Sequence, residues 1–423
     1  PSYADAHYNL GSVFQKINMF QKAKKCFEKT LKINYNHSLA HLNLGVVLNA
    51  LGQSEKAMEC YLKTIEIDPN NVKAHYNIAN IFNRKDDFQN AIISYEKAIK
   101  IDPNYINANY NIANMFNNLG DLKNALKFYH RTLELKPDHL EAQYSIGIML
   151  YTSQQYKEAA KYLDLIDHKK SKSFLLDCLY TMDNIPLFLR ELNNLINRGT
   201  INSMIGSICS RAEKKYEAAK QNPFCKDPLK YVLKSDLTKK CDFKNTFIKV
   251  AKNILTKNIH LPYRQQPLLY NATQTSGNLF TQKNINTIEI QKVIHSEIKK
   301  YRSLFKDSEE GFLKNWPNDY HLYGWLISMK SGGKIKPHIH NHGWLSGSVY
   351  INVPKKLKID SGNLVLSIDK KEYKNEKNIN SHRNIDVTTG SLCLFPASLH
   401  HYTIPFEAEV ERIVLAFDVL QTD

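Results

Sequence analysis

One spacing dominates this chain. Ala74-His75-Tyr76-Asn77-Ile78-Ala79-Asn80 returns 34 residues later as Ala108-Asn109-Tyr110-Asn111-Ile112-Ala113-Asn114. The same offset brings Ala40-His41-Leu42-Asn43-Leu44-Gly45 and Ala6-His7-Tyr8-Asn9-Leu10-Gly11 into register, and a fifth copy reads Ala142-Gln143-Tyr144-Ser145-Ile146-Gly147. Small residues recur at Ala23, Ala57, Ala91, Ala125 and Ala159. Large ones recur at Phe27, Tyr61, Tyr95 and Tyr129, with Leu163 in the fifth slot. A fixed period of this length marks a stacked array, because one unit cannot bury its own apolar stripe and must lean on the next. Within each unit the Leu/Ile and Gly/Ala pair, then Phe14, Leu48, Phe82 or Phe116, fall at helical spacing on one face. Gly52 and Gly120 suit a turn between two helices. Pro69, Pro103 and Pro137 close their units, since proline cannot continue a helix.

The period and these residues resemble the tetratricopeptide repeat, over about residues 4–173. The resemblance implies an α-solenoid with an extended surface for a protein or peptide partner. Along the repeats runs the series Asn9, Asn43, Asn77 and Asn111, broken by Ser145. A primary amide both donates and accepts hydrogen bonds, so such a row on a concave surface can hold the backbone of an extended peptide. The series looks like the asparagine ladder in the repeats of protein O-linked N-acetylglucosamine transferases. Solvated or inter-helix amides are the plainer alternative. The stripe Tyr8, Tyr76, Tyr110 and Tyr144 reads as packing.

At 423 residues the chain exceeds one ordinary core. Hydrophobic content of 43% and charged content of 23% place it among globular proteins, with no stretch as long as a membrane span and no signal peptide. It opens Pro1-Ser2-Tyr3 rather than with Met, as expected of a piece cut from something longer. Seven scattered cysteines without a C-x-x-C point to reduced thiols in a cytoplasm, and away from disulfides or a thiolate zinc site. The net charge of +16 is spread along the chain as a lysine bias; with no groove-reading motif it argues against nucleic acid. The expected division is repeats over 1–173, a helical cap and connector over 174–240, and a further domain over 241–423.

The texture changes after a helical pattern at 285–305. From Tyr320 onward, short strand-like runs at 322–329, 335–340, 345–353, 363–368, 384–387, 391–395, 401–404 and 412–419 alternate with glycine turns, as in a sandwich or barrel. His338 and His340 stand two apart, and in a strand that spacing puts both on one face, where they can share a metal. His401 follows the apolar run 392–396, and Arg412 lies eleven residues beyond it. This layout suits a barrel with a metal in its mouth and a carboxylate-bearing cosubstrate held deeper by the arginine.

Residues 338–350, which run from His338 through Gly343-Trp344-Leu345-Ser346-Gly347 to Tyr350, resemble the metal segment of 2-oxoglutarate- and Fe(II)-dependent oxygenases. So do residues 390–401, followed by Pro405 and Glu411-Arg412-Ile413, and Thr273-Gln274-Thr275-Ser276-Gly277-Asn278-Leu279-Phe280 fits the lead-in. The resemblance spans about 268–419 and implies a double-stranded β-helix, the jelly-roll barrel. It implies His338 and His401 as iron ligands and Arg412 as partner of the far carboxylate of 2-oxoglutarate, for which a guanidinium is the natural fork. His401 fits better than His400 because it stands four residues before Pro405. The chain departs from the usual two-histidine, one-carboxylate triad: the acid position holds His340. Tyr350 is a candidate for a hydrogen bond to the cosubstrate. His342, His400 and His321 read as neighbours.

The expectation is therefore an α + β multidomain protein, an α-solenoid followed by a jelly-roll. It would be an Fe(II)- and 2-oxoglutarate-dependent dioxygenase that hydroxylates a protein or peptide presented by the repeats. Its metal ligands would be His338, His340 and His401, with Arg412 and Tyr350 on the cosubstrate and Asn9, Asn43, Asn77 and Asn111 on the partner. Two rivals stand beside it: a scaffold with an idle barrel, and a three-histidine, cupin-type metalloenzyme that does not use 2-oxoglutarate.

Overall fold

The structure is a computed structural model that describes residues 2–216, 221–256, 263–264, 268–275, 277–282, 287–370 and 381–422. Ser276 of the lead-in and Ile285 at the expected helix start lie outside them. The chain divides into two compact units, Pro1–Asp167 and His168–Asp423.

The first unit is a run of helical pairs: α1 (Ser2–Lys16) with α2 (Phe20–Ile33), α3 (Ser38–Ala50) with α4 (Ser54–Ile67), and α5 (Val72–Arg84) with α6 (Phe88–Ile101). It continues with α7 (Ile106–Asn118) and α8 (Leu122–Leu135), then α9 (Leu140–Thr152) and α10 (Tyr156–Asp164). Two residues of the repeat hold each pair together. The recurrent alanines at 23, 57, 91, 125 and 159 are fully buried, and so are Phe27, Tyr95, Tyr129 and Leu163, with Tyr61 almost so. Burying one such ring stabilises the stack by roughly 1.5–3 kcal/mol. The ring seats because the facing helix carries a small residue: a Cβ added at Gly45 would stand 2.5 Å from the Tyr61 ring, and one at Gly11 2.7 Å from Phe27.

Each turn inside a pair uses one left-handed residue, namely Asn18 (φ 57°), Gly52 (76°), Asp86 (57°), Gly120 (79°) and Gln154 (61°). Sequence reasoning saw only the two glycines of this series. The other three units fill the same position with side chains that bear a cost of about 1–2 kcal/mol in that conformation.

The second unit opens with α11 (Lys169–Thr181), α12 (Ile185–Asn197) and α13 (Ser203–Tyr216). Later come β1 (Leu233–Asp236), α14 (Lys249–Thr256), β2 (Tyr263–Arg264), β3 (Leu269–Thr275), α15 (Ile288–Leu304) and α16 (Gly311–Lys314). The remaining strands are β4 (Tyr320–Ile335), β5 (Leu345–Asn352), β6 (Leu364–Ser367), β7 (His382–Ile385), β8 (Ser391–Pro396), β9 (His400–Thr403) and β10 (Arg412–Gln421). Among the described residues they form a seven-stranded sheet, β1-β8-β5-β10-β4-β3-β2, and a three-stranded sheet, β7-β6-β9, with antiparallel pairing throughout. β1 lies in the stretch read as cap and connector, and it pairs with β8.

Alternation along the strands gives the large sheet two faces. On one face Leu322, Leu326, Leu345, Val349, Leu415, Phe417 and Val419 pack with Ile290, Ile294, Ile298 and Tyr301 of α15. On the other, Tyr350, Val414, Cys393 and Phe395 join Leu364 and Leu366 of the small sheet in a second core. The two sheets thus face one another. All seven cysteines are free. Among the described residues no helix is long and apolar enough to cross a membrane.

Gly45→Ala tests the ring-seating rule. Alanine favours helix by about 1 kcal/mol, but its methyl meets the Tyr61 ring, and overpacking typically costs 1–3 kcal/mol. The expected outcome is a net loss of about 1 kcal/mol, read as an earlier denaturant midpoint of the helical signal. A midpoint that rises would overturn the packing argument.

Candidate metal centre

Among the described residues one isolated bridge joins the two sheets. β4 ends at Ile335, and three residues later His338 bridges His401 of β9, its N–H donating to the His401 carbonyl at 3.3 Å and the His401 N–H returning at 2.9 Å. Residues directly opposite in an antiparallel bridge present their side chains on the same face. The two imidazole centroids accordingly lie 4.2 Å apart.

His340 arrives by another route. The expectation that His338 and His340 share the face of one strand is corrected here: His338 sits in an isolated bridge and His340 in the turn beyond it. His340 is instead held from three sides. Its carbonyl accepts from Ser203 Oγ at 3.0 Å and from the Gly343 N–H at 3.1 Å, and its Nδ1 lies 2.6 Å from Asp418 Oδ1. Its ring then stands 4.7 Å from that of His401 and 5.1 Å from that of His338.

The tautomers follow from the acceptors. His338 Nδ1 faces the Lys336 carbonyl at 2.9 Å, His340 Nδ1 faces Asp418, and His401 Nδ1 faces the Leu399 carbonyl at 3.4 Å. These oxygens only accept, so each Nδ1 carries the proton and each Nε2 presents a lone pair. The Nε2 atoms of His338 and His340 stand 3.2 Å apart. Two lone pairs at that distance repel unless a cation lies between them. One ligand atom from each of the three rings lies within 4.8 Å of the others, so the donor set fits a metal. Burial holds two of the rings neutral: the His338 pKa falls to about 4, and His401 is pushed well below its usual value, in both cases chiefly by desolvation.

The three imidazoles line a cavity of about 320 Å³ together with Tyr323, Trp325, Ile327, Tyr350 and Arg412. Arg412 is 1% exposed. Its Nη1 donates to the Gly362 carbonyl, its guanidinium lies 5.1 Å from the Tyr350 ring, and its Nε and Nη2 have no hydrogen-bond partner. Desolvation lowers the Arg412 pKa and raises that of Tyr350. A buried guanidinium with two idle donors is costly unless an anion joins it, so the residues present also fit a carboxylate.

His400 points away, with Nδ1 3.5 Å from Ser207 Oγ, and neither His342 nor His321 enters the cluster. Sequence reasoning missed Asp418, Ser346 and Trp325. Asp418 had a visible signal: it is a carboxylate on the inward series Val414, Ala416, Asp418 of an otherwise apolar strand.

Residues 323–418 match the family described as "Putative 2OG-Fe(II) oxygenase". Residues 4–34, 45–86, 72–105 and 94–127 match tetratricopeptide-repeat families. The chain carries tetratricopeptide repeats and a "Putative 2OG-Fe(II) oxygenase" domain. That matched segment holds all three clustered imidazoles, Tyr350, Arg412 and Asp418. Among curated proteins nothing matches the chain. Solved structures similar to it include MamA at 26% identity and TM-score 0.34, covering 36% of this chain and 89% of that one. PilF of Pseudomonas aeruginosa is similar at 17% identity and TM-score 0.40, covering 51% and 93%. YrrB, titled a TPR protein with an unusual peptide-binding site, is similar at 22% identity and TM-score 0.37, covering 40% and 91%.

The depressed imidazole pKa values set a pH dependence for the metal-free protein. Between the unfolded value near 6.5 and the folded value near 4 for His338, the unfolded chain binds protons that the oxygenase-matched domain refuses. Stability is therefore present above about pH 6.5 and is lost as pH falls through that window. Thermal midpoints of metal-free protein should decline over this range, and His401→Gln should flatten the decline. A slope the variant does not change would count against the assignment.

Proposed function

We propose that the second unit is an Fe(II)- and 2-oxoglutarate-dependent oxygenase built on a double-stranded β-helix, and that the repeats present its protein or peptide substrate. The observation that carries this reading is the Arg412 guanidinium, its Nε and Nη2 without hydrogen-bond partners, in the wall of the cavity that the three imidazoles share. A metal site alone would suit the three-histidine rival equally, but a buried cation with two idle donors calls for an organic anion beside the metal. Two antiparallel sheets with a common core support the jelly-roll.

In this reading His338, His340 and His401 hold the iron through Nε2. Arg412 grips the distal carboxylate of 2-oxoglutarate through Nε and Nη2, and the Tyr350 hydroxyl, kept protonated by burial, stands ready to donate to the same group. Ile327, Met329, Leu364 and Val414 exclude water from the wall. The chemistry supplied by such a centre is oxidative decarboxylation of 2-oxoglutarate to succinate, coupled to hydroxylation of a nearby C–H bond.

The repeats indicate protein interaction. Within them Asn43 Nδ2 donates to the Tyr8 hydroxyl at 3.2 Å, and Asn111 Nδ2 donates to the Tyr76 hydroxyl at 3.1 Å. Each tyrosine aims an amide whose oxygen can take a backbone N–H of an extended peptide. The residue at the equivalent place for Asn77 is Leu42, which offers no hydroxyl.

Anaerobic addition of Fe(II) and 2-oxoglutarate should give a visible charge-transfer band, with succinate released once oxygen is admitted. Arg412→Ala should weaken 2-oxoglutarate binding by the 2–5 kcal/mol typical of breaking a buried charge pair, roughly 30- to several-thousand-fold, while metal affinity holds. Metal binding without succinate would favour the three-histidine rival, and no metal binding would favour the scaffold.

A further inference from the structure

The three imidazoles are neutral ligands, so a divalent ion among them would keep its full charge in a cavity walled largely by apolar side chains. One carboxylate stands against the cluster. Asp418 is 7% exposed on the inward face of β10, directly opposite Ser346 of β5. Its Oδ1 accepts from His340 Nδ1 at 2.6 Å and from Ser346 Oγ at 2.7 Å. Ser346 Oγ itself stands 3.2 Å from His340 Nδ1, so the three groups form a closed triangle. Among the described residues no lysine or arginine pairs with Asp418, and His340 is its ionisable partner.

The fold gives no reason for a charge at this place. The neighbouring inward positions on β10 are Val414 and Ala416. Burying a carboxylate costs several kcal/mol unless a cation or strong donors meet it. A valine here would serve the sheet better. What the carboxylate does is select one state of His340. It takes the Nδ1 proton, and this turns the Nε2 lone pair toward His338 and His401.

We infer that Asp418 is a positioning residue for the metal centre: it locks the Nδ1–H tautomer and orientation of His340 and supplies, one hydrogen bond away, the negative charge that the three-imidazole ligand set lacks. This rests on the metal reading proposed above. Carboxylates placed behind a ligating imidazole fix its ring and raise its basicity, and their loss typically lowers metal affinity roughly 10–100-fold. Ser346 holds Asp418 in place, and Ser203 holds the backbone of His340.

The test uses the full chain, metal-free at the outset, with Asp418→Asn and Asp418→Ala. Asparagine keeps the shape and an acceptor oxygen but removes the charge; alanine removes both. Co(II) and Zn(II) affinities are measured by calorimetry against a competing chelator. The His340 tautomer is read by nitrogen-15 NMR of histidine-labelled protein and assigned with His340→Gln. Near-UV circular dichroism checks folding. Asp418→Asn is expected to retain the Nδ1–H tautomer yet lose about tenfold in affinity. Asp418→Ala is expected to lose up to about a hundredfold and to shift His340 toward the other tautomer. Should alanine fail to fold, the asparagine variant decides. Affinities within about twofold of the parent, with the tautomer unmoved, would overturn the role given to Asp418 while leaving the metal reading intact. Failure of the parent chain to bind either ion would overturn the metal reading itself.

Discussion

A single antiparallel bridge between His338 and His401 organises the second unit. It is where the long strand β4 leaves the large sheet and meets β9 of the small one. Without that crossing, His338 and His401, far apart in sequence, would have no reason to meet. Because bridged residues share a face, the backbone pairing that joins the sheets also sets two imidazoles side by side, their rings tilted by 47°. The third imidazole cannot come from strand alternation, since His340 lies past the strand. It is brought in by polar contacts from Asp418 and Ser203. The cluster therefore combines a rigid half, fixed by backbone, and a half held by side-chain hydrogen bonds.

The large sheet can carry these polar groups because its two faces do different work. The outward face of β5 and β10 is apolar and packs under α15. That packing stabilises the sheet enough to tolerate a buried guanidinium and a buried carboxylate on the opposite face, where Arg412 and Asp418 mark the two ends of the inward row of β10. Placed on one strand with period two, a cation and an anion are separated by Val414 and Ala416, so neither neutralises the other. Each is left to act on something else. For Asp418 that something is His340, and Arg412 lines the cavity with two donors left idle.

The repeats solve a simpler problem with the same economy of parts. A glycine or alanine on one helix admits a large ring from the next, and the array follows by repetition. The asparagine series is less uniform than its spacing implies. Asn43 and Asn111 are held by tyrosine hydroxyls from the preceding repeat, whereas the preceding repeat has Leu42, with no hydroxyl, at the place equivalent to those tyrosines for Asn77. Sequence periodicity shows that these amides recur in register; it does not show which of them a tyrosine has already claimed.

Much of this architecture was legible in residues 1–423 alone. The repeat period identified the helical pairs, because stacking forces the same small and aromatic residues into every unit. Most strand runs from Leu345 onward were placed nearly as observed, whereas the runs expected at 322–329 and 335–340 are one strand, β4, that ends at Ile335. His338, His401 and Arg412 stood out by residue type and neighbours. Less of the candidate site was legible than of the fold. His340 was singled out for a reason the structure corrects, and Asp418 passed unnoticed although its polarity was out of place in β10. The left-handed turns at Asn18, Asp86 and Gln154 were invisible because no glycine announced them. The chain by itself determined what repeats and what alternates, since those patterns arise from local geometry acting on each residue in turn. Only the tertiary structure decided which lone pairs converge and which carboxylate stands behind them, because those contacts join residues up to 78 positions apart through a crossing between sheets that no local pattern encodes.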